Sequence, residues 1–255
     1  MYLLNNFFSK YFIKPCLFKI FAGPLRGLKI YLAPRHGLKK LLGIYETEIT
    51  NAIQKTVKPD DVCIDVGCHI GYITLALRKF VGEKGFVLAV DPILSNCELV
   101  AKSAQANNFS NIKTKAVALG DVDAEVSAHV FSDSDMANFA DSGFINYSKE
   151  TCQNFKVTTL DTLVAHEKLT TVDFIKLDVE GYEYKVLLGA SQVIAKYTPT
   201  FLIEVHTLEI WPKIYDLLTT KGYNFYDLHT NQLAKETPLD MTKIFHVVAR
   251  VGDIK

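Results

Sequence analysis

The sequence predicts a doubly wound α/β sheet, mostly parallel, with an antiparallel C-terminal strand. Two observations predict it. From Asp61 onward, short apolar runs alternate with runs of helical spacing. The chain then closes on two strand patterns with no helix pattern between them. At 255 residues, 49% hydrophobic and 22% charged, the chain is globular and long enough for one large domain with a short extension. The zero formal net charge gives no overall attraction to nucleic acid or another polyanion.

The elements follow in order. DVCIDVG is a short apolar strand ending at Gly67, and ITLALRKFV is a helix with Ile73, Leu77 and Phe80 available for one face. GFVLAVD is a second strand ending at Asp91; Pro92 starts the next helix, continued by Leu99, Val100 and Ala104. NIKTKAVALG reads as a third strand. VSAHVF and FKVTTL are strand-like, and the polar loop between them, from Ser132 to about Asn154, has the length of a lid or binding loop. VDFIKLDVEG is a strand, EYKVLLGASQVIAKY one helix, and TFLIEVH a further strand after Pro199. WPKIYDLLTTKG is a short helix with Gly222 as its stop, and YNFYDLH and KIFHVVARV are the closing strands. There is no internal repeat and no independent second domain.

Residues 1–45 read as a basic, aromatic N-terminal extension or cap, and 46–255 as the main domain. No acidic residue precedes Glu46, while Lys10, Lys14, Lys19, Arg26, Lys29, Arg35, Lys39 and Lys40 alternate with aromatic and apolar residues. No apolar run reaches the length of a membrane span, and the lysines break any signal-peptide core. Two readings of residues 1–31 stay open: an amphipathic helix lying on a membrane surface, or a helix packed over the domain. The five cysteines, odd in number and scattered, form neither a disulfide framework nor a zinc pattern. Reduced thiols and a cytoplasmic location are expected, with peripheral contact at the inner membrane surface under the first reading.

The sharpest local signal is IDVGCHIGY, residues 64–72. Gly67 stands where strand turns to helix, where a missing side chain lets a ligand approach the backbone; Gly71 lets the helix start pack closely. The pattern lacks the third glycine of a pyrophosphate-binding fingerprint, which disfavours a dehydrogenase. Asp65, before the turn, suits a ligand carrying an ammonium group. Asp91, at the next strand end, is placed to accept hydrogen bonds from ribose hydroxyls.

In VDFIKLDVEG, Lys176, Asp178 and Glu180 share one face if the strand runs that far. Buried unpaired charge is costly, so this strand end is either wet or binds something polar.

With these pieces in place, the sequence resembles class I S-adenosylmethionine-dependent methyltransferases, and more narrowly the FkbM family. The resemblance runs from about Gly43 to His206 on GIYETEI, DVCIDVGCHIGYITL, VLAVDP, KAVALGD, VTTLDTL, VDFIKLDVEGYEYKVLLGA and FLIEVH. Cys68 and His69 depart from the family's usual turn, and both glycines are kept. The resemblance implies a Rossmann-like methyltransferase sheet with S-adenosyl-L-methionine along its strand tips. Asp65 and Gly67 would surround its methionine portion, with Gly71 also among the donor-binding residues; Asp91 would hold its ribose, Ala118 would line its adenine pocket, and Glu46 would close over its amino-acid end. Lys176, Asp178 and Glu180 would form a polar wall where donor meets acceptor. Asp178, Glu180 or His206 would take a proton from an acceptor hydroxyl. Converging carboxylates can hold Mg²⁺, but no loop carries a dense Asp/Asn cluster, so no metal is assigned.

The acceptor expected from the resemblance and the polar 132–154 loop is a hydroxyl of a saccharide, glycolipid precursor or small polar metabolite. A non-catalytic donor-binding module and an RNA methyltransferase are the alternatives, although nucleic acid is disfavoured by the neutral charge.

Overall fold

The computed structural model describes residues 14–33, 37–131, 137–139, 150–228, 233 and 245–252. The chain opens with an antiparallel hairpin, β1 (Cys16–Lys19) and β2 (Lys29–Leu32), followed by α1 (Leu38–Leu41) and α2 (Thr47–Thr56). Then come β3 (Val62–Val66), α3 (Tyr72–Val81), β4 (Phe86–Asp91), α4 (Leu94–Ala106) and β5 (Ile112–Ala116). Four strands follow without a helix: β6 (Ala118–Leu119), β7 (Ala124–Phe131), β8 (Ala137–Phe139) and β9 (Glu150–Thr158). The rest is α5 (Leu160–His166), β10 (Phe174–Leu177), α6 (Glu183–Leu188), α7 (Ser191–Tyr197), β11 (Thr200–Val205), α8 (Trp211–Thr219), β12 (Tyr223–Asp227) and β13 (Phe245–Val251).

The main sheet has seven strands in the order β12-β13-β11-β10-β3-β4-β5, with β13 antiparallel to both neighbours. It is the mostly parallel, doubly wound sheet expected. Its central strands are apolar on both faces because both faces are covered. Ile64, Leu88, Ile175 and Ile203 point to one side, against Leu160, Val186 and Trp211. Cys63, Val87, Phe174 and Leu202 point to the other, against Leu75, Leu77 and the hairpin residues Ile20 and Ile30. At the antiparallel edge, Trp211 of α8 meets Phe225 of β12 and Phe245 of β13 edge-on, each at 5.1 Å, a contact type adding about 0.5–1.5 kcal/mol beyond area burial.

Four features differ from the sequence reading. Residues 16–32 are a hairpin, not part of a helix. Ile20, Leu25, Ile30 and Leu32 are fully buried there, so this part of the extension belongs to the core. Residues 1–13 lie outside the described residues, as do 34–36, which include Arg35. NIKTKAVALG splits between two sheets: β5 closes the large sheet, while β6 joins a smaller one of order β6-β9-β7-β8. That second sheet takes in the described parts of the expected 132–154 loop; 132–136 and 140–149 lie outside the described residues. The single helix expected over 183–197 is two, separated at Gly189 and Ala190. Finally, β10 ends at Leu177, so strand alternation does not govern Asp178 and Glu180. No helix among the described residues is long and apolar enough to cross a membrane.

Candidate active site

The C-terminal ends of β3, β4, β10 and β11 meet at one cavity, which Lys40, Tyr45 and Glu46 also line. Parallel packing places these ends together, since each strand leaves the sheet at the same edge. The sequence-predicted residues Glu46, Gly67, Asp91, Ala118, Lys176, Asp178 and Glu180 all line it; Asp65, Gly71 and His206 do not.

Gly67 is required by its neighbours. It has φ +76°, and a Cβ there would stand 1.7 Å from the carbonyl oxygen of Asp178. The close approach is therefore by the chain's own backbone, where the sequence suggested a ligand. After the turn, His69 donates its backbone N–H to Asp91 Oδ2 at 2.9 Å. Asp91 Oδ1 accepts from the Ile93 N–H at 2.9 Å and Asn96 Nδ2 at 3.1 Å. Burial pushes the Asp91 carboxyl up to about 6, with these three donors opposing it. Gly71 serves packing instead. A Cβ there would lie 2.7 Å from Val100 Cγ2, so the glycine sets how closely α3 approaches α4.

Asp65 and Lys176 are register partners on β3 and β10, and both are buried. Asp65 Oδ2 accepts from Thr74 Oγ1 at 2.6 Å, and burial raises its pKa against the pull of Lys176. Lys176 Nζ lies 2.7 Å from Asp178 Oδ2 and 3.4 Å from the Gly67 carbonyl oxygen. Burial favours the neutral amine, but Asp178, Asp65 and Glu46 outweigh it and hold the ammonium well above its ordinary value. Lys176 is thus the cation shared by three acids, of which Asp65 lies outside the cavity lining. Burial raises the Glu46 carboxyl, with Lys176 and the Tyr45 hydroxyl opposing.

Glu46 (φ +44°), His69 (φ +47°) and Glu180 (φ +53°) are non-glycine residues in the left-handed region, and all three line the cavity. Such conformations cost about 1–3 kcal/mol each and persist where surrounding contacts enforce them, often at functional sites. For Glu180 the enforcing residue is Glu183. Its buried Oε1 accepts from the Gly181 N–H at 3.0 Å and the Val179 N–H at 3.3 Å, pinning the loop on both sides of Glu180. The same oxygen lies 2.8 Å from His206 Nδ1.

His206 does not fit the role of proton acceptor. Burial would lower its pKa, but Glu183, Glu180 and Asp178 raise it to about 9, so the ring already carries its proton at neutral pH. The ordinary value near 6.5 assumed none of these partners. Sequence reasoning also passed over Glu183, His246 as the 3.0 Å partner of Glu204, and the Lys40–Tyr45–Tyr72 group at the cavity. An acid in the first turn of α6 was the only available hint of Glu183, and that position is common for helix-dipole reasons alone.

The model of the Methyltransferase FkbM domain matches residues 65–225, more than half of the chain. The chain belongs to the FkbM methyltransferase family. No curated protein matches it in sequence. It is similar in structure to an FkbM methyltransferase from Methylobacillus flagellatus KT, at 18% identity and a TM-score of 0.48 over 74% of this chain. The match spans 43% of that protein's chain. A SAM-dependent O-methyltransferase from Thermotoga maritima matches at 14% identity and TM-score 0.45, covering 83% of this chain and 66% of that one. A precorrin-6y C5,15-methyltransferase from Geobacter metallireducens GS-15 matches at 11% identity and TM-score 0.48, covering 82% and 90%. The matched FkbM segment begins at Asp65 and so contains every cavity residue named above except Lys40, Tyr45 and Glu46, which the N-terminal part of the chain contributes.

Proposed function

We propose that this FkbM-family chain is an S-adenosylmethionine-dependent O-methyltransferase acting on a hydroxyl of a saccharide, glycolipid precursor or small polar metabolite. The observation that carries the reading is convergence: the Gly67 turn, the Asp91 carboxylate, the Ala118 wall and the Asp178–Glu180 acids face one cavity. The donor fits these residues. Asp91 lines the cavity as a carboxylate with about one acceptor site left, on Oδ2, beyond its three protein donors, which suits one ribose hydroxyl. The backbone of residues 67–69 and Glu46 would border the amino-acid end, and Ala118 the adenine. Bound there, the donor supplies a methyl group on a sulfonium leaving group.

The chain's own residues supply position and a proton acceptor. Lys176 fixes Asp178 by a 2.7 Å ion pair. Glu183 fixes the loop that presents Glu180. Glu180 is the residue we assign to accept the acceptor hydroxyl's proton, because it lines the cavity and neither of its carboxylate oxygens is bound to Lys176. Positioning an acceptor at the methyl group is the larger contribution, since an oriented encounter replaces a bimolecular one.

The direct test uses donor with an isotopically labelled methyl group, a fractionated cell extract and mass spectrometry of what gains label. Label on an O-methylated saccharide or small metabolite is the expected result. Label found only on RNA or protein redirects the acceptor class, and no labelled product from any fraction counts against catalysis. With an acceptor in hand, Glu180→Gln is expected to lower kcat by about 10²–10⁴ with a folded protein.

A further inference from the structure

We propose that Asp178, Glu204 and His206 form a binding site for one divalent transition-metal ion, with Glu180 as a further ligand on its open side. The three residues come from the ends of two adjacent strands, and one ligand atom of each lies within 4.8 Å of the others. His206 Nε2 stands 3.4 Å from Glu180 Oε2, 3.5 Å from Asp178 Oδ1 and 3.7 Å from Glu204 Oε1. These distances exceed the roughly 2.7–3.2 Å of a good N–H···O bond. Atoms sharing an ion at about 2.1 Å stand about 3.0–3.4 Å apart, so a small inward movement completes a coordination shell.

The atoms that would not touch the ion are already tied. Asp178 Oδ2 is held by Lys176 at 2.7 Å, and Glu204 Oε2 by His246 Nε2 at 3.0 Å. His206 Nδ1 is held by Glu183 Oε1 at 2.8 Å. A carboxylate on Nδ1 orients the ring so that Nε2 faces the acids; because the ring carries both protons at neutral pH, an ion would bind by displacing the Nε2 proton, which is released to solvent. The second, independent pointer to a ligand is His206 itself. Its side chain is 3% exposed, and Nε2 is aimed into the three acids at 3.4–3.7 Å, ion-pair contacts that are too long for good hydrogen bonds.

Charge and access agree with this. Asp178, Glu180 and Glu204 face one another with Lys176 and the protonated His206 ring as adjacent cations; once an ion displaces the His206 proton, three acids face one cation, an excess of negative charge that a dication balances. Their side chains are 22%, 33% and 19% exposed, so an ion would be buried on the His206 side and open toward the cavity. One imidazole with carboxylates suits Mn²⁺ better than the all-oxygen shells of Mg²⁺ or Ca²⁺. An ion there would supply Lewis acidity toward an oxygen in the cavity. The inference goes beyond the methyl-transfer reading and does not depend on it.

The test is titration of the full chain with Mn²⁺ alone, followed by loss of the free-ion electron paramagnetic resonance signal. Saturation at one ion per chain is expected, with nitrogen modulation of the bound signal from the imidazole. His206→Gln and Glu204→Gln are each expected to weaken binding at least tenfold, and His206→Gln to remove the nitrogen modulation. Glu183→Gln, a positioning change, is expected to weaken binding by about 10–100-fold. Asp216→Asn, on the exposed face of α8, should change nothing. No saturable binding, or binding without nitrogen modulation in the unaltered chain, overturns the proposal even if a variant fails to fold. So does unchanged affinity in folded His206→Gln and Glu204→Gln.

Discussion

Gly67→Ala tests whether the site depends on one close approach between two strand exits. The added Cβ would stand 1.7 Å from the Asp178 carbonyl oxygen, 2.9 Å from its carbonyl carbon and 3.7 Å from Val179 Cγ1. The first two contacts are to backbone, so no side-chain rotation relieves them. Holding alanine at φ +76° costs about 1–2 kcal/mol, and moving a packed backbone adds about 1–3 kcal/mol. The sum, about 2–5 kcal/mol, corresponds to a fall in Tm of about 4–20 °C for a chain of this size. Gly222→Ala isolates the conformational part, because Gly222 has φ +84° with nothing within 4 Å of the added carbon. Thermal unfolding by circular dichroism or calorimetry compares the two. Gly67→Ala should fall further than Gly222→Ala, and it should weaken S-adenosylhomocysteine binding because the Asp178 backbone must move. If the two variants lose equal stability, the carbonyl contact is not what requires glycine, and the reasoning fails.

Three other outcomes are expected. Asp91→Ala removes an acceptor for three protein donors and for the proposed ribose contact; S-adenosylhomocysteine binding should weaken by at least about tenfold by calorimetry, and an unchanged Kd refutes the ribose assignment. Burial alone would raise Glu167, but Lys113 and Lys115, each 2.5 Å from its carboxylate, hold it down at about 2. Because the folded-state pKa is depressed, this stabilisation is present above the ordinary value of 4.5 and is lost as pH falls toward 2; Glu167→Gln should lower Tm at pH 7 and make little difference near pH 2, and an equal effect at both rules out the ion pairs as its source. A chain lacking residues 1–13 keeps every residue of the hairpin, which begins at Cys16, and should sediment less with anionic vesicles at low salt; equal sedimentation refutes a membrane contact by this segment.

The large sheet was legible because parallel strands covered on both faces leave apolar runs that few other structures produce. The cavity was partly legible for a related reason: Gly67, Asp91 and Asp178 stand where those runs stop, and a parallel sheet sends all such points to one edge. The hairpin was not legible. Lysines set among aromatic residues fit an amphipathic helix and a short half-buried strand pair alike, and only the β1–β2 pairing and the burial of Ile20, Leu25 and Ile30 in one core cluster with residues of α2 and α3 choose between them. Charge state was the least accessible property. His206 looked like a base by residue type, yet its pKa is set by Glu183, Glu180 and Asp178, which arrive on the β10–α6 loop and the first turn of α6. Asp65 looked like a ligand contact by its place before a glycine turn, yet β3 runs beside β10, and it is Asp65's register partner Lys176 that lines the cavity while Asp65 is fully buried. In both cases strand pairing supplies the neighbour that decides the chemistry. Sequence spacing locates a side chain along its own strand, whereas its proton affinity is set by residues on the strands and loops beside it.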